Sequence, residues 1–249
     1  DEYVEMLLER SVAGIIFVNG LHADTTADPE RYRRLVARRL PIVLVNGYLE
    51  GIEAPFISPD EAVAAELAVA HLASLGHRRI GMISGPERYL PVQRKLMGWR
   101  RAMSDLLGAD PAELDQLVSL SLFGVEGGAA AAGRLLDRGV TGIVCGSDLM
   151  ALGAIRAARQ RGLVVPRDLS VVGYDDSPLI AFTDPPLTTV RQPVTPMASA
   201  AVRALLDEIQ GQPAPRSEYV FPPELVVRAS TTTAPRAVTT EDPSALALT

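Results

Sequence analysis

The sequence predicts an α/β fold with two lobes, each built on a parallel sheet. Short apolar runs alternate with segments of helical periodicity along the chain, which is the pattern of strands joined by crossover helices. With 249 residues, of which 47% are hydrophobic, the chain can bury a substantial core. Its length lies between one large domain and two small ones, so we expect two lobes.

Six strands and three helices can be placed in order. Strands are predicted at apolar runs, which lie at residues 13–18, 41–45, 79–84, 117–121, 141–146 and 169–174. A helix is predicted over about 60–75, because Asp60 can cap its N-terminus. Another is predicted over about 197–211 with Thr195 as its cap, and a third over about 91–107.

Charge and composition exclude several classes of protein. The net charge of −6 leaves no basic surface for sequence-independent binding to nucleic acid phosphates. The single cysteine, Cys145, lies in an apolar run, which excludes an internal disulfide framework and fits a reducing compartment. No stretch approaches the roughly 20 apolar residues that span a bilayer, and the acidic start lacks a signal-peptide pattern. We therefore expect a cytoplasmic protein without membrane contact.

The motifs of common catalytic sites are missing from the sequence. We find no P-loop, no GxGxxG after a strand, no HExxH and no GxSxG. The histidines His22, His71 and His77 lack metal-ligand spacing, which favours structural or solvated roles. The prediction is a protein that is not an enzyme, with no cofactor and no metal. An α/β enzyme that uses Asp175 or Asp176 as a base is a less favoured alternative, because no paired histidine, cysteine or metal motif supports it.

The segment 171–193 carries the clearest functional signal. An apolar strand there ends at Asp175 and Asp176, and ligands of open α/β sheets bind at the carboxyl ends of strands. Two acids at that position indicate recognition of hydroxyl groups. We expect Asp175 to contact a ligand, whereas Asp176 is expected to cap the next short helix.

Several spaced motifs resemble those of the LacI/GalR family of bacterial transcriptional regulators. They are HLASLGHRRIGMISGP (71–86), SDLMALGAIRA (147–157), VPRDLSVVGYDD (165–176), PPLTTVRQP (185–193) and PPELVVRAS (222–230). The resemblance covers nearly the whole chain. It implies that family's effector-binding core, which is built like a type I periplasmic binding protein from two Rossmann-like lobes joined by three crossovers.

The resemblance also implies a division of the chain. The N-terminal lobe would contain 1–85 and 193–218, and the C-terminal lobe 86–192 and 219–234. The crossovers would then lie near Pro86, near Gln192 and Pro193, and near Tyr219. Residues 235–249 show no sustained periodicity and are predicted to form a loose tail.

Two parts of the family pattern are missing. No segment resembles the helix-turn-helix headpiece, so operator DNA would be bound only through a headpiece outside this chain. The opening residues resemble the family's second helix and third strand, which implies that the first β-α-β unit of the N-terminal lobe is missing. We expect a fragment, in which the strand at 13–18 has an unpaired edge.

Family effectors are small molecules held between the lobes by polar groups at strand ends and by an aromatic platform. The matching positions in this chain are Asn46, Asp60, Phe123, Asp175 and Gln192. Two further candidates depart from the family pattern, since Lys95 stands where an arginine clamp is usual and Ser147 where asparagine is common. Carboxylates, amides and a ring face suit a polyhydroxylated ligand, so the expected effector is a sugar or a related polyol.

Several of these positions allow a simpler structural role. Asn46 could form a turn with Gly47, and Asp60 could act only as a helix cap. Phe123 could belong to the core, and Gln192 could bond only to backbone at a crossover.

The resemblance implies how the complete regulator would work. Effector binding would change the angle between the lobes, and in a homodimer this would change the spacing of the DNA-reading heads. The outer helices of the first lobe would form much of the dimer interface. The alternative is an extracytoplasmic sugar-binding protein of an ABC transporter, which shares the two-lobed fold. The motifs GHRRIG and PPLTTVRQP favour the regulator.

Overall fold

The computed structural model describes residues 2–212 and 215–235. The helices in this part of the chain are α1 (Glu2–Glu9), α2 (Glu30–Ala37), α3 (Glu61–Ser74), α4 (Leu90–Leu107), α5 (Pro111–Leu114), α6 (Val125–Leu136), α7 (Asp148–Gln160) and α8 (Val194–Ile209). The strands are β1 (Ile15–Val18), β2 (Ile42–Val45), β3 (Phe56–Pro59), β4 (Ile80–Ser84), β5 (Val118–Leu120), β6 (Gly142–Cys145), β7 (Ser170–Asp175), β8 (Thr188–Arg191), β9 (Glu218–Phe221) and β10 (Glu224–Val226).

The strands form two sheets, which confirms the predicted α/β fold with two lobes. The first sheet has the order β1-β2-β3-β9 and is parallel throughout. The second has the order β10-β8-β7-β6-β4-β5 and is parallel except for β10. Strand β1 pairs with β2 along one edge, and no strand of the described part of the chain pairs with its other edge.

Helices cover both faces of the first sheet. Tyr32 and Leu35 of α2 are buried in one cluster with Leu44 of β2. On α8, Met197 and Ala201 belong to a separate cluster. This arrangement explains why β2 is an almost continuous apolar run, since parallel strands are commonly buried on both faces.

The second sheet carries the larger core. Leu72 of α3 and Trp99 of α4 are fully buried there, and Leu135 of α6 and Ile155 of α7 belong to the same cluster. Trp99 therefore packs in the core.

The chain passes between the two sheets three times, as the family resemblance implied, but two of the passages lie elsewhere than predicted. The first lies between β3 and α3, not near Pro86, because β4 pairs within the second sheet and α3 packs on that sheet's core. The third lies at residues 222–223, because β9, which includes Tyr219, pairs with β3 of the first sheet. The predicted lobe boundaries at 85 and 218 are therefore wrong. The second passage lies at Gln192 and Pro193.

Helix α8 begins at Val194, three residues before its predicted start, and Thr195 is not its cap. The helix starts directly after Pro193, and Pro196 is tolerated in the first turn because backbone N–H groups there have no intrahelical acceptor. The predicted tail lies almost entirely outside the described residues, at 236–249. Among the helices of the described residues, none combines the length and the apolar composition of a membrane-spanning segment.

Candidate functional site

A cleft of about 740 Å³ lies between the two lobes, at the carboxyl ends of the parallel strands. Its volume is in the range of small-molecule sites. Its polar and charged lining consists of Asn19, Asp24, Arg31, Asn46, Glu61, Arg88, Tyr89, Lys95, Ser147, Tyr174, Asp175 and Gln192. This edge is where the strand-end rule predicts a ligand.

The structure brings six of the seven predicted site residues together in this cleft. They are Asn46, Lys95, Phe123, Ser147, Asp175 and Gln192. Asp60 does not line the cleft, because its carboxylate accepts a hydrogen bond of 3.1 Å from the backbone N–H of Val63 and so caps α3. For Asp60 the structure therefore shows the capping role that the sequence left open.

Asp175 stands at the end of β7, where the strand turns out of the sheet. Its φ of 117° and the φ of 59° at Asp176 are uncommon for residues with a side chain and mark a sharp turn. Gln192 donates a hydrogen bond of 2.6 Å from Nε2 to Oδ1 of Asp175. Burial raises the pKa of Asp175 to about 6, although the bond from Gln192 acts in the opposite direction. The strand end and the second crossover therefore meet at one carboxylate.

A second buried acid, Asp148, holds the loop after this turn by hydrogen bonds. Its Oδ2 accepts hydrogen bonds of 2.8 Å from the backbone N–H and the hydroxyl of Ser177, and its Oδ1 accepts one of 2.7 Å from Thr189. Burial raises the pKa of Asp148. Because Thr189 lies on β8, Asp148 ties the loop after Asp175 to the neighbouring strand.

Asp176 does not cap a helix as predicted. Its carboxylate accepts hydrogen bonds of 2.6 Å from Arg191 and from Arg228. Burial would raise the pKa of Asp176, but the two arginines outweigh burial and lower it. Asp176 thus has a structural role next to Asp175.

Asn46 follows β2 in the left-handed region, with φ 67°, and its amide donates a hydrogen bond to Oδ1 of Asn19. Its own Oδ1 is buried and accepts no hydrogen bond from the described residues. An unsatisfied buried acceptor is costly, so a hydroxyl donor from a ligand at this point would be stabilising.

Lys95 is held by an ion pair instead of pointing freely at a ligand. Its Nζ lies 2.5 Å from Oε2 of Glu61, and the Tyr174 hydroxyl donates a hydrogen bond of 2.6 Å to the same oxygen. The ammonium also lies 4.0 Å from the centroid of the Tyr174 ring. Burial, followed by the proximity of Glu61, raises the pKa of Tyr174 well above its usual value, so the tyrosine is a hydrogen-bond donor.

Phe123 and Ser147 occupy the second-lobe side of the cleft. The Phe123 side chain is 52% exposed, and its ring packs on Gly85, where a Cβ would lie 2.2 Å from Cζ of Phe123. The Ser147 hydroxyl accepts a bond of 3.2 Å from the N–H of Met150, which caps α7. Its own proton can still be donated to a ligand.

Seven further polar or charged residues line the cleft that the sequence did not mark as ligand contacts. They are Asn19, Asp24, Arg31, Glu61, Arg88, Tyr89 and Tyr174. Asn19 directly follows β1 as Asn46 follows β2, so the strand-end rule could have found it. Glu61 carried no such signal, because an acid in the first turn of a helix is ordinary.

Two groups of contacts cross between the lobes. At the mouth of the cleft, Arg88 pairs with Asp24 at 3.2 Å, and its carbonyl accepts hydrogen bonds of 2.9 Å from the backbone and the hydroxyl of Thr25. Away from the mouth, Arg94 donates two bonds of 2.6 and 2.8 Å to Glu218 of β9. The lobes are therefore linked by side chains as well as by the crossovers.

Known proteins share this architecture. The family described as a periplasmic binding protein-like domain matches residues 69–231. A LacI family regulator of Enterococcus faecium, solved with bound ribose, superimposes with a TM-score of 0.82 at 26% identity, covering 94% of this chain and 85% of that one. The complex of the regulator CelR with cellobiose gives a TM-score of 0.81 at 33% identity, covering 92% and 69%.

Sequence identity then decides the family. The HTH-type transcriptional regulator MalR of Streptomyces coelicolor is 62% identical over 236 residues, which are 94% of this chain and 69% of MalR. The chain belongs to the LacI family. It spans about two thirds of the length of the curated relatives it matches and corresponds to the family's effector-binding core. No cluster of His, Cys, Asp and Glu side chains suited to a metal ion occurs among the described residues.

Proposed function

We propose that this chain is the ligand-sensing core of a LacI-type transcriptional regulator and that it binds a small polyhydroxylated effector, a sugar, in the cleft between its lobes. The main support is the composition of the cleft. The carboxylate of Asp175 and the amides of Asn46 and Gln192 suit hydroxyl groups, and the half-exposed ring of Phe123 suits the apolar face of a sugar. Two solved relatives contain ribose and cellobiose.

The proposal extends to the complete regulator. A sugar that contacts both lobes favours one angle between them, and in a homodimer this angle would set the spacing of the DNA-binding heads. Val202 and Leu206 lie one turn apart on α8 and are both exposed, which supports self-association through this helix. Light scattering measures that association directly, and a stable monomer would contradict it. The high identity to a regulator favours this function over a transport-binding protein.

A thermal-shift and calorimetry screen tests the sugar assignment. Ribose, cellobiose and other neutral mono- and disaccharides are added to the wild type and to Asp175→Ala. At least one sugar should raise the melting temperature, and the variant should bind it at least about tenfold more weakly, because a hydrogen bond to a charged acceptor is lost.

Asp115→Asn is the control, because Asp115 is exposed and lies outside the cleft. The proposal fails if no sugar shifts the wild type, or if the shift is the same in Asp175→Ala. We propose that the sugar is bound without chemical change, so NMR should recover it intact after incubation.

A further inference from the structure

The chain has one lysine, and that lysine lies in the cleft. Of the 24 lysine and arginine residues, only Lys95 is a lysine. Its ammonium is compact enough to sit between the Glu61 carboxylate and the Tyr174 ring, at 2.5 Å and 4.0 Å respectively. A guanidinium is planar and forked, so it could not take the same compact position.

The charges of the cleft are balanced. Among the described residues that line it, three side chains are cationic and three are acidic. Lys95 pairs with Glu61, and Arg88 pairs with Asp24 at 3.2 Å. The third acid is Asp175. It lies close enough to Lys95 and Glu61 for the charge of each to affect its pKa. An incoming anion would therefore meet carboxylates beside two of the cations.

The helix N-termini at the cleft do not offer an anion site either. Phosphate groups commonly bind at such ends, where backbone N–H groups are unpaired. Here α3 carries Glu61 in its first turn, and α7 carries the buried Asp148. Helix α4 has Pro91 in its first turn, which removes one N–H donor.

We propose that the cleft selects uncharged sugars and excludes phosphorylated ones, and that Glu61 determines this specificity by holding Lys95. The preference for a sugar rests on the function proposed above, whereas the exclusion of anions can be tested without knowing the sugar. An anion that displaced Glu61 from Lys95 would leave a buried carboxylate without its cation, and one that used a remaining N–H group would be repelled by that carboxylate. A neutral hydroxyl can accept one of the remaining ammonium N–H groups while the ion pair stays intact.

Calorimetry with inorganic phosphate, ribose 5-phosphate and ribose tests this proposal. The wild type should show no binding of either phosphate at millimolar concentration. Glu61→Gln frees Lys95 and should bind inorganic phosphate at least about tenfold more tightly than the wild type, with an affinity that falls as salt is added. In Glu61→Gln/Lys95→Met this gain should disappear, which assigns it to Lys95.

Glu66→Gln is the matched control. Glu66 lies on the same helix and pairs with Arg101, but both lie outside the cleft, so this variant should not gain phosphate binding. If Glu61→Gln does not fold, Asp24→Asn provides a second route, because it unpairs the more exposed Arg88 and should also raise the affinity for phosphate.

The outcomes separate the two proposals. The selection of neutral ligands is overturned if the wild type binds ribose 5-phosphate more tightly than ribose. It is also overturned if Glu61→Gln folds but gains no affinity for phosphate. Either result leaves a ligand-binding cleft. If no sugar binds, while phosphate binding appears only when the ion pairs are broken, the exclusion of anions stands and the sugar assignment falls.

Discussion

Asp175 and Asp176 are neighbours in the chain, yet the structure shifts their pKa values in opposite directions. Burial raises the pKa of Asp175 to about 6, from 3.8. For Asp176, burial is outweighed by hydrogen bonds from Arg228 and Arg191, and the pKa is lowered. The fold therefore disfavours the charged form of Asp175 and favours the charged form of Asp176.

The raised pKa of Asp175 predicts a pH-dependent stability. The contribution of protonated Asp175 to the free energy of unfolding is fully present below pH 3.8. It is lost as the pH rises through about 6, because the folded state holds the proton more tightly than the unfolded state. Asp175→Asn cannot lose a proton, so it should gain about 2 kcal/mol relative to the wild type between pH 4 and pH 7.5. Urea unfolding at several pH values measures this difference.

Asp176→Asn is the control for that measurement, and its effect on the free energy of unfolding should have the opposite sign. The wild-type carboxylate stabilises the fold above its unfolded pKa, and this advantage is lost as the pH falls through the lowered folded pKa. The variant should therefore be less stable than the wild type at neutral pH, with the deficit shrinking in acid. A parallel pH response of the two variants would contradict both assignments.

Residue types at strand ends could be predicted, but their partners could not. Asn46 and Asp175 were found because they directly follow apolar strands. The pairing of Glu61 with Lys95 was not, because the two residues lie on different helices and meet only when α3 packs on α4. The same limit applies to Asp176, whose arginine partners are on β8 and in the segment after β10.

Helices α3 and α4 touch through their backbones at Gly98. A Cβ at this position would lie 2.1 Å from the carbonyl oxygen of Ala62, a backbone atom that cannot move independently. Gly98 therefore permits the close approach that places Lys95, on the same helix, next to Glu61.

Gly98→Ala should destabilise the protein by about 2 kcal/mol, because overpacking outweighs the gain in helix propensity. Gly133→Ala is a matched control in the interior of α6, where the nearest atom to a new Cβ is the flexible end of Arg161 at 3.4 Å. That variant should gain about 0.5–1 kcal/mol from helix propensity. Denaturant unfolding compares them, and stabilisation by both would contradict the close contact.

Most elements could be predicted from the sequence, but not the sheet to which each belongs. The apolar runs at β2, β4 and β7 indicated strands because nearly all of their residues are buried. The same runs carry no information on their neighbours, so β4 was assigned to the wrong lobe. Periodicity reports burial of a side chain, whereas sheet order depends on contacts between distant segments.

The two lobes are joined by ion pairs as well as by the three crossovers. Arg94 of α4 and Glu218 of β9 form a bidentate salt bridge, with side chains that are 25% and 14% exposed. Such a pair favours the arrangement of the lobes in this structure and should be worth about 1 kcal/mol. Because it does not line the cleft, it can be changed without removing a ligand contact.

Arg94→Gln should shift the protein away from this arrangement, towards lobes that lie further apart. A loss of about 1 kcal/mol changes the ratio of the two arrangements about fivefold. Single-molecule energy transfer between one dye on each lobe measures this ratio without ligand. Arg101→Gln is the matched control, since Arg101 is on the same helix but pairs with Glu66 within the second lobe. Equal distance distributions in the wild type and Arg94→Gln would refute the role of this pair.

The sequence by itself determined the family, the alternation of strands and helices, and the residue types that stand at the strand ends. These properties depend on local pattern and on motif order, which can be read along the chain. Only the tertiary structure decided the lobe boundaries, the position of Asp60 outside the cleft, and the pairing of Lys95 with Glu61. The physical reason is that burial, hydrogen bonding and ion pairing act between segments that are distant in sequence. The charge that a ligand meets in the cleft is therefore a property of the packed fold.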